Sequence, residues 1–328
     1  MPRLIPLVTL LATSAIASEP AMPLRPVNTY SIVARDPATG ELGVAVQSHW
    51  FSVGPIVAWA ESGVGAVATQ SFVDPSYGKL GLELMRVGRT APEALKGLLA
   101  ADSGSAVRQV AMIDSQGRVA AHTGERCIVA AGHVVGENFS VQANMMEKDT
   151  VWPAMAKAFR ESKGDLAARM MAALEAAEAA GGDIRGKQSA ALIVVSGKPT
   201  GKSWVDRKFD LRVDDHPKPL EELKRLLTLQ RAYNLMNEGD LAIERNDAKA
   251  ALEAYSGAQA LVPGNAEMVF WTAVSLVNMN RVDEAVPLFQ KTFKMDPRWR
   301  ELLTRLPKAG LLPEDPKLMA RLAGAGKK

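Results

Sequence analysis

Thr29 is the residue of this chain whose potential chemistry is easiest to define. A threonine hydroxyl can be activated as a nucleophile when the residue begins a polypeptide. Its own α-amino group, with a pKa of roughly 7.7–8.0, can then take the hydroxyl proton. In the sequence Thr29 follows Asn28, so catalysis by Thr29 requires cleavage of the Asn28–Thr29 bond by the protein itself or by another protease. Without that cleavage, Thr29 is a β-branched residue that begins a strand.

The elements that would position Thr29 are two strands joined by a turn, in residues 29–51. The first run, TYSIVAR, has the composition of a strand, and the second, LGVAV, alternates apolar with small residues, as a strand buried on both faces does. Between them the turn DPATG combines a proline, which fixes φ, with a glycine, which accepts positive φ. The pattern predicts a β-hairpin that begins at Thr29.

Several sequence blocks in residues 29–227 carry a resemblance to a known family. In chain order they are TYSIVARDPATGELGVAVQS, WAESGVGAVATQSFVDPSYG, RVAAHTGERC with AGH, SVQAN, GGDIRGKQSAALIVV and DLRVDDHP. On these blocks the chain is similar to the domain-of-unknown-function family numbered 1028, which resembles a branch of the N-terminal-nucleophile (Ntn) hydrolases. The resemblance implies an α+β fold, a four-layer αββα sandwich with paired sheets inside. The periodicity of the sequence by itself predicts only mixed α and β structure.

The resemblance also implies a candidate site. Thr29 is the expected nucleophile and Asn144 a candidate oxyanion donor, while the expected substrate-binding residues are Ser48, Thr69, Gln70, Asp74 and Tyr77. Well-known threonine hydrolases of this fold have an aspartate at the end of the second strand and a lysine at the end of the third. Here the second strand ends in Gln47-Ser48, and no lysine lies near the expected third strand. Structural roles at sheet ends, and a turn capped by Asp74, are the alternative explanations.

No metal or cofactor is expected. His122 and His133 are separated by ten residues and there is no cysteine cluster, which does not match a compact metal-binding motif. The single Cys127 excludes an internal disulfide. Residues 196–203, SGKPTGKS, resemble a phosphate-binding loop without its first glycine. That motif requires a following helix, but residues 204–213 alternate as a strand does, so a hairpin turn is expected.

The N-terminal residues predict export. Arg3 precedes an apolar run, and Ala15-Ile16-Ala17 fits the small-x-small rule for cleavage of a signal peptide at residues 1–17. Because the run is shorter than the roughly 20 residues of a membrane span, the mature protein should be soluble and periplasmic or secreted. Residues 18–28 are rich in proline and form an expected leader. The net charge of +3 does not indicate the basic surface of a nucleic-acid-binding protein.

A helical region is expected at residues 219–328, after a polar, proline-containing exit from the domain at residues 29–218. Within it a 34-residue offset relates two segments. The offset pairs Ala251 with Ala285, Tyr255 with Phe289, Pro263 with Pro297, Gly239 with Ala273 and Ala258 with Thr292. Such a period is typical of tetratricopeptide-like helix pairs. We expect residues 220–306 to bind a protein partner or to pack on the first domain, and a homo-oligomer is left open.

Two functions fit these observations. The first is an exported hydrolase of a small-molecule or peptide amide, with Thr29 as nucleophile. The second is a non-catalytic binding module in which the hydrolase site is degenerate and the helices carry the function. The intact TYSIVARD segment favours the first, and the missing lysine favours the second.

Overall fold

The computed structural model describes Val27 and residues 29–324. The predicted signal peptide at residues 1–17, and the predicted leader apart from Val27, lie outside the described residues. Both therefore remain predictions.

The described residues contain ten strands in two antiparallel sheets. The strands are β1 (Thr29–Arg35), β2 (Leu42–Ser48), β3 (Ala58–Glu61), β4 (Gly65–Ser71), β5 (Arg108–Asp114), β6 (Val119–Thr123), β7 (Gly132–Gly136), β8 (Phe139–Ala143), β9 (Ser189–Val195) and β10 (Arg207–Val213). The six-stranded sheet has the order β10-β9-β2-β1-β8-β7, and the four-stranded sheet has the order β3-β4-β5-β6. β1 is thus an interior strand, paired with β2 on one side and β8 on the other.

Twelve α-helices occur in the same described part of the chain. They are α1 (Gly54–Val57), α2 (Ser76–Arg86), α3 (Ala91–Ala101), α4 (Val151–Glu161), α5 (Leu166–Ala179), α6 (Ser203–Asp206), α7 (Pro219–Glu244), α8 (Ala248–Leu261), α9 (Ala266–Asn278), α10 (Val282–Met295), α11 (Arg298–Arg305) and α12 (Pro316–Ala323). The protein is therefore a mixed α+β chain with two antiparallel sheets and a helical C-terminal region, which confirms the predicted class.

The sheets pack face to face and carry helices on their outer sides. Side chains alternate along a strand, so Val33 and Ile32 of β1 point to opposite faces. Val33 faces the four-stranded sheet and packs with Ala68 and Ala111 in one core cluster, and Ile32 faces the helices. Ile32 packs in a second cluster with residues of α4, α5 and the start of α7. A third cluster joins the outer face of β4 and β5 to α2 and α3.

Local signals in the sequence are confirmed by the structure. β1 and β2 form the predicted hairpin, in the register that places Thr29 opposite Ser48, and Gly40 of the turn has φ of +74°. Thr90 and Glu93 have the spacing of a capping box, and one begins α3, since the Thr90 side chain accepts a hydrogen bond from the Glu93 amide and the Glu93 side chain accepts one from the Thr90 amide. These features depend on neighbouring residues alone.

One local prediction was wrong. The strand expected at residues 204–213 begins only at Arg207, because Ser203–Asp206 forms the single helical turn α6. The buried Asp206 carboxylate accepts hydrogen bonds from the Thr200 amide, and its carbonyl accepts one from the Ser196 amide, which closes the loop as a compact turn. The turn is only four residues long and leads directly into β10.

The helix α7 joins the two parts of the molecule. Its first half contributes Leu220, Leu223 and Leu227 to the core cluster under the six-stranded sheet, and its second half packs against α8. The predicted boundary after residue 218 falls at the start of this helix. Gly239 lies where α7 meets α8, and a Cβ atom there would come within 2.3 Å of the Tyr255 ring.

Candidate functional site

Thr29 is the first residue of β1 and is fully buried. Its hydroxyl donates a hydrogen bond of 2.9 Å to the Val27 carbonyl and lies 3.2 Å from Ser48 Oγ. Val27 is itself buried and pairs with Ser71 through two backbone hydrogen bonds of 2.6 and 3.0 Å. The residue ahead of Asn28 therefore covers the Thr29 hydroxyl and fixes the direction of its hydrogen bond.

Two hydrogen bonds from other elements hold the main chain of Thr29. Its carbonyl accepts a hydrogen bond of 2.9 Å from Gln70 Nε2, on the facing sheet, and one of 3.1 Å from the Asn144 amide, just beyond β8. Two bonds from different elements to one carbonyl hold Thr29 in place independently of the residues that precede it.

A network of buried carboxamides lies between the sheets at this end. Gln109 Oε1 accepts hydrogen bonds from Gln70 Nε2 at 2.7 Å and from Asn144 Nδ2 at 2.9 Å. Gln109 Nε2 donates to Thr123 Oγ1 and to the Ala143 carbonyl, both at 2.9 Å. Gln109 therefore links the four-stranded sheet to the end of β8, and Gln70 connects it to the Thr29 carbonyl.

Two further side chains extend the network along β1. Ser31 Oγ donates to Gln70 Oε1 at 2.6 Å, and Gln142 Nε2 donates to Ser31 Oγ at 3.2 Å and to the Ala68 carbonyl at 3.1 Å. Asn144 Oδ1 and Gln142 Oε1 are buried acceptors without a hydrogen-bond partner in the described structure. Buried polar atoms of this kind are uncommon in folded proteins, where an ordered water, a bound group or a functional role accounts for them.

The structure separates the predicted site residues into two groups. Thr29, Ser48, Gln70 and Asn144 come together at the end of β1. Thr69, Asp74 and Tyr77 form a different group. The Thr69 hydroxyl donates to the Asp74 carbonyl at 3.1 Å, and alternation along β4 turns its side chain away from that of Gln70.

Arg108 is the residue that organises the second group. Its Nε atom donates to Asp102 Oδ2 at 2.8 Å, and its guanidinium lies 3.7 Å from Asp74 Oδ2. The Tyr77 hydroxyl donates to Asp102 at 2.9 Å. Burial, followed by this hydrogen bond, raises the pKa of Tyr77 well above its ordinary value. Burial opposes ionisation of Asp102, yet hydrogen bonds from Arg108, the Gly104 amide and Tyr77 lower its pKa overall.

A cavity of about 470 Å³ lies at the far end of the carboxamide network. Thr123, Cys127, His133 and Trp152 are among the residues that line it. Thr123 Oγ1 lies 2.8 Å from His133 Nδ1, so Thr123 joins the cavity to Gln109. Burial, and then the nearby His122, lower the pKa of His133, while burial raises the pKa of the Cys127 thiol.

The sequence alone did not indicate Gln109, Gln142 and Ser31 as residues of this site. Each is a polar residue at a strand position that faces the other sheet, and the available signal was a glutamine or serine within an otherwise apolar strand. Among the described residues, no group of three or more histidine, cysteine, aspartate or glutamate side chains is placed to hold a metal ion. No helix in the described part of the chain is long and apolar enough to cross a membrane.

Comparison with known proteins identifies the family. Residues 29–223 match the family described as "Family of unknown function (DUF1028)", and the chain belongs to this family. It is also similar to the crystal structure of protein SPO2555 from Silicibacter pomeroyi, which is assigned to the same family. The two share 32% sequence identity and a TM-score of 0.55, over 61% of this chain and 88% of that one. Comparison with curated proteins gave no match.

Proposed function

We propose that this chain is an exported amide-bond hydrolase of the Ntn type, in which Thr29 is the nucleophile and its freed α-amino group is the base. The observation that carries the proposal is the setting of Thr29. It begins an interior strand, its carbonyl is held by Gln70 and by the Asn144 amide, and its hydroxyl contacts Ser48. In this proposal the two facing sheets and their outer helices form the four-layer αββα sandwich of that class.

Cleavage before Thr29 would change the site in two ways. It would create an α-amino group on the residue that carries the hydroxyl, and departure of the leader would remove the Val27 carbonyl that accepts a hydrogen bond from this hydroxyl. The buried space that Val27 occupies beside Ser71 would then be open to a substrate. The uncleaved chain is, in this proposal, a covered precursor.

The reaction follows from these groups. Thr29 Oγ1 attacks the carbonyl carbon of a small-molecule or peptide amide while the α-amino group takes the hydroxyl proton. Asn144 Nδ2 has a second N–H besides the one that it donates to Gln109, and this N–H is the proposed oxyanion donor. The C–N bond then breaks, the leaving amine takes the proton, and water hydrolyses the resulting ester of Thr29. The hydrolysis regenerates the hydroxyl.

Three variants test the proposal against a panel of aryl-amide substrates. Thr29→Ala should abolish turnover, because loss of a nucleophile lowers kcat by several orders of magnitude. Thr29→Ser should retain measurable turnover, because it keeps a hydroxyl and an amine. Thr39→Ala, in the exposed hairpin turn, is the matched control and should be unchanged. Equal turnover in the wild type and Thr29→Ala would refute the role of Thr29.

We further propose that residues 219–328 form a tetratricopeptide-like interaction domain. The positions related by the 34-residue offset support this proposal: Ala251 and Ala285 are both fully buried, as are Tyr255 and Phe289. The two aromatic residues lie in separate core clusters. Tyr255 packs with residues of α7 and α8, and Phe289 packs with residues of α9 and α10.

The competing function is a non-catalytic binding module. The residues around Thr29 favour this function. Their side chains are the hydroxyl of Ser48 and the carboxamides of Gln70 and Gln109, whereas well-known threonine hydrolases have a lysine and an aspartate. A protein that keeps its leader in place, with Thr29 covered by Val27, would support this function.

A further inference from the structure

The helical C-terminal region contains a cavity of about 440 Å³ between α7, α8 and α9. Its walls are largely apolar and aromatic, with Tyr233, Tyr255 and Trp271 contributing rings. A volume of this size is typical of small-molecule sites. It lies outside the Thr29 site and includes none of the residues assigned to that site.

Two carboxylates give the cavity its charge. Asp240, near the end of α7, and Glu267, in the first turn of α9, both line it. No lysine or arginine is among the described residues that line the cavity. The two charged side chains that line the cavity are therefore both negative.

Tyrosine hydroxyls hold each carboxylate in place. Tyr255 Oη donates to Asp240 Oδ1 at 2.8 Å, and Tyr233 Oη donates to Glu267 Oε2. Ser275 Oγ in turn donates to Tyr255 Oη at 3.0 Å, which links α7, α8 and α9. Neutral donors orient the two carboxylates without cancelling their charge, so the charge remains available to a ligand.

We propose that this cavity binds an organic cation, an alkylammonium group with an apolar stem. The carboxylates supply the charge complement, and the partly exposed rings of Tyr233 and Trp271 supply electron-rich faces for the cation. The apolar remainder of the wall accommodates the stem. An anionic ligand would meet two like charges, and a purely apolar one would leave the two carboxylates without a counter-charge.

A charge series on one stem tests the proposal with the full chain. Isothermal titration with n-hexylammonium, hexan-1-ol and hexanoate compares a cation, a neutral group and an anion on the same six carbons. The ammonium ion should bind with one-to-one stoichiometry and at least ~10-fold more tightly than the alcohol, since one charge contact and one cation–π contact are added. Hexanoate should bind most weakly. Equal affinity for ammonium and alcohol, or no binding of ammonium at millimolar concentration, would overturn the proposal.

Variants then locate the site. Asp240→Asn and Glu267→Gln should each weaken binding of n-hexylammonium by about fivefold, because each removes one carboxylate from a partly exposed cavity. Glu253→Gln on the exposed face of α8 is the matched control, since it makes the same change in net charge away from the cavity. Thr29→Ala should bind like the wild type. If the three acidic variants lose affinity to the same extent, the effect is a general one of net charge and the site is wrong.

Discussion

Replacement of Gln109 by methionine tests the carboxamide network most directly. The two side chains are similar in length, so Gln109→Met removes the polar atoms with little change in packing. Asn144 Nδ2 would lose its acceptor, and the Ala143 carbonyl would lose a donor, whereas Gln70 Nε2 would keep its bond to the Thr29 carbonyl. Each buried group left unpaired costs about 1–3 kcal/mol, which gives a loss of about 4 kcal/mol.

Thermal and urea unfolding of the full chain measure this loss. For a domain of this size, about 4 kcal/mol corresponds to a decrease in Tm of about 8–16 °C. Gln116→Met, in the exposed turn after β5, is the control and should change stability by less than about 0.5 kcal/mol. A loss below about 1 kcal/mol in Gln109→Met would mean that these groups do not depend on Gln109 for their hydrogen bonds. The structural basis of the site would then be refuted.

Three other predictions follow from the same structure. A chain ending at residue 229 should be more stable than one ending at residue 218 by roughly 4 kcal/mol or more. The longer chain keeps Leu220, Leu223 and Leu227, and burial of a leucine stabilises by about 1.5–3 kcal/mol. Equal urea midpoints would contradict it. Gly239→Ala should lower the Tm, since the added Cβ meets the Tyr255 ring at 2.3 Å, whereas Gly257→Ala, with Leu235 at 3.2 Å, should be neutral or stabilising. The reverse order would refute the α7–α8 packing. Because the pKa of His133 in the folded chain lies below its ordinary 6.5, the unfolded chain binds the proton more readily, and stability should fall as the pH decreases below 6.5. His133→Gln should reduce this dependence in pH-dependent unfolding, and an unchanged dependence would exclude His133 as its source.

Local features of the fold could be predicted from the sequence. The β1–β2 hairpin and the capping box of α3 depend on residues that are close in the chain, so their types and spacing determine them. The break between α4 and α5 near Gly164 is of the same kind. By contrast, β7 was not predicted. Its sequence, GHVVG, is short and bounded by glycines, and its pairing with β8 supplies what the local pattern lacks.

The candidate site could be predicted only in part. Thr29, Ser48, Gln70 and Asn144 lie together, because they occupy the ends of strands that pair or face each other. Gln109 is central to the site, yet its importance depends on contacts with residues that are distant in the sequence. Asp74 and Tyr77 were predicted to bind substrate, and that role stays a prediction; in the structure they contact Arg108 and Asp102.

The N-terminus of the mature protein tests the central proposal most directly. Intact-mass measurement and N-terminal sequencing of the protein recovered from the extracytoplasmic fraction should show a chain that begins at Thr29. A freed α-amino group on this residue is the base that the proposed reaction requires. A mature chain that begins near Ser18, with the Asn28–Thr29 bond intact, would contradict the hydrolase and leave the binding module as the function of this protein.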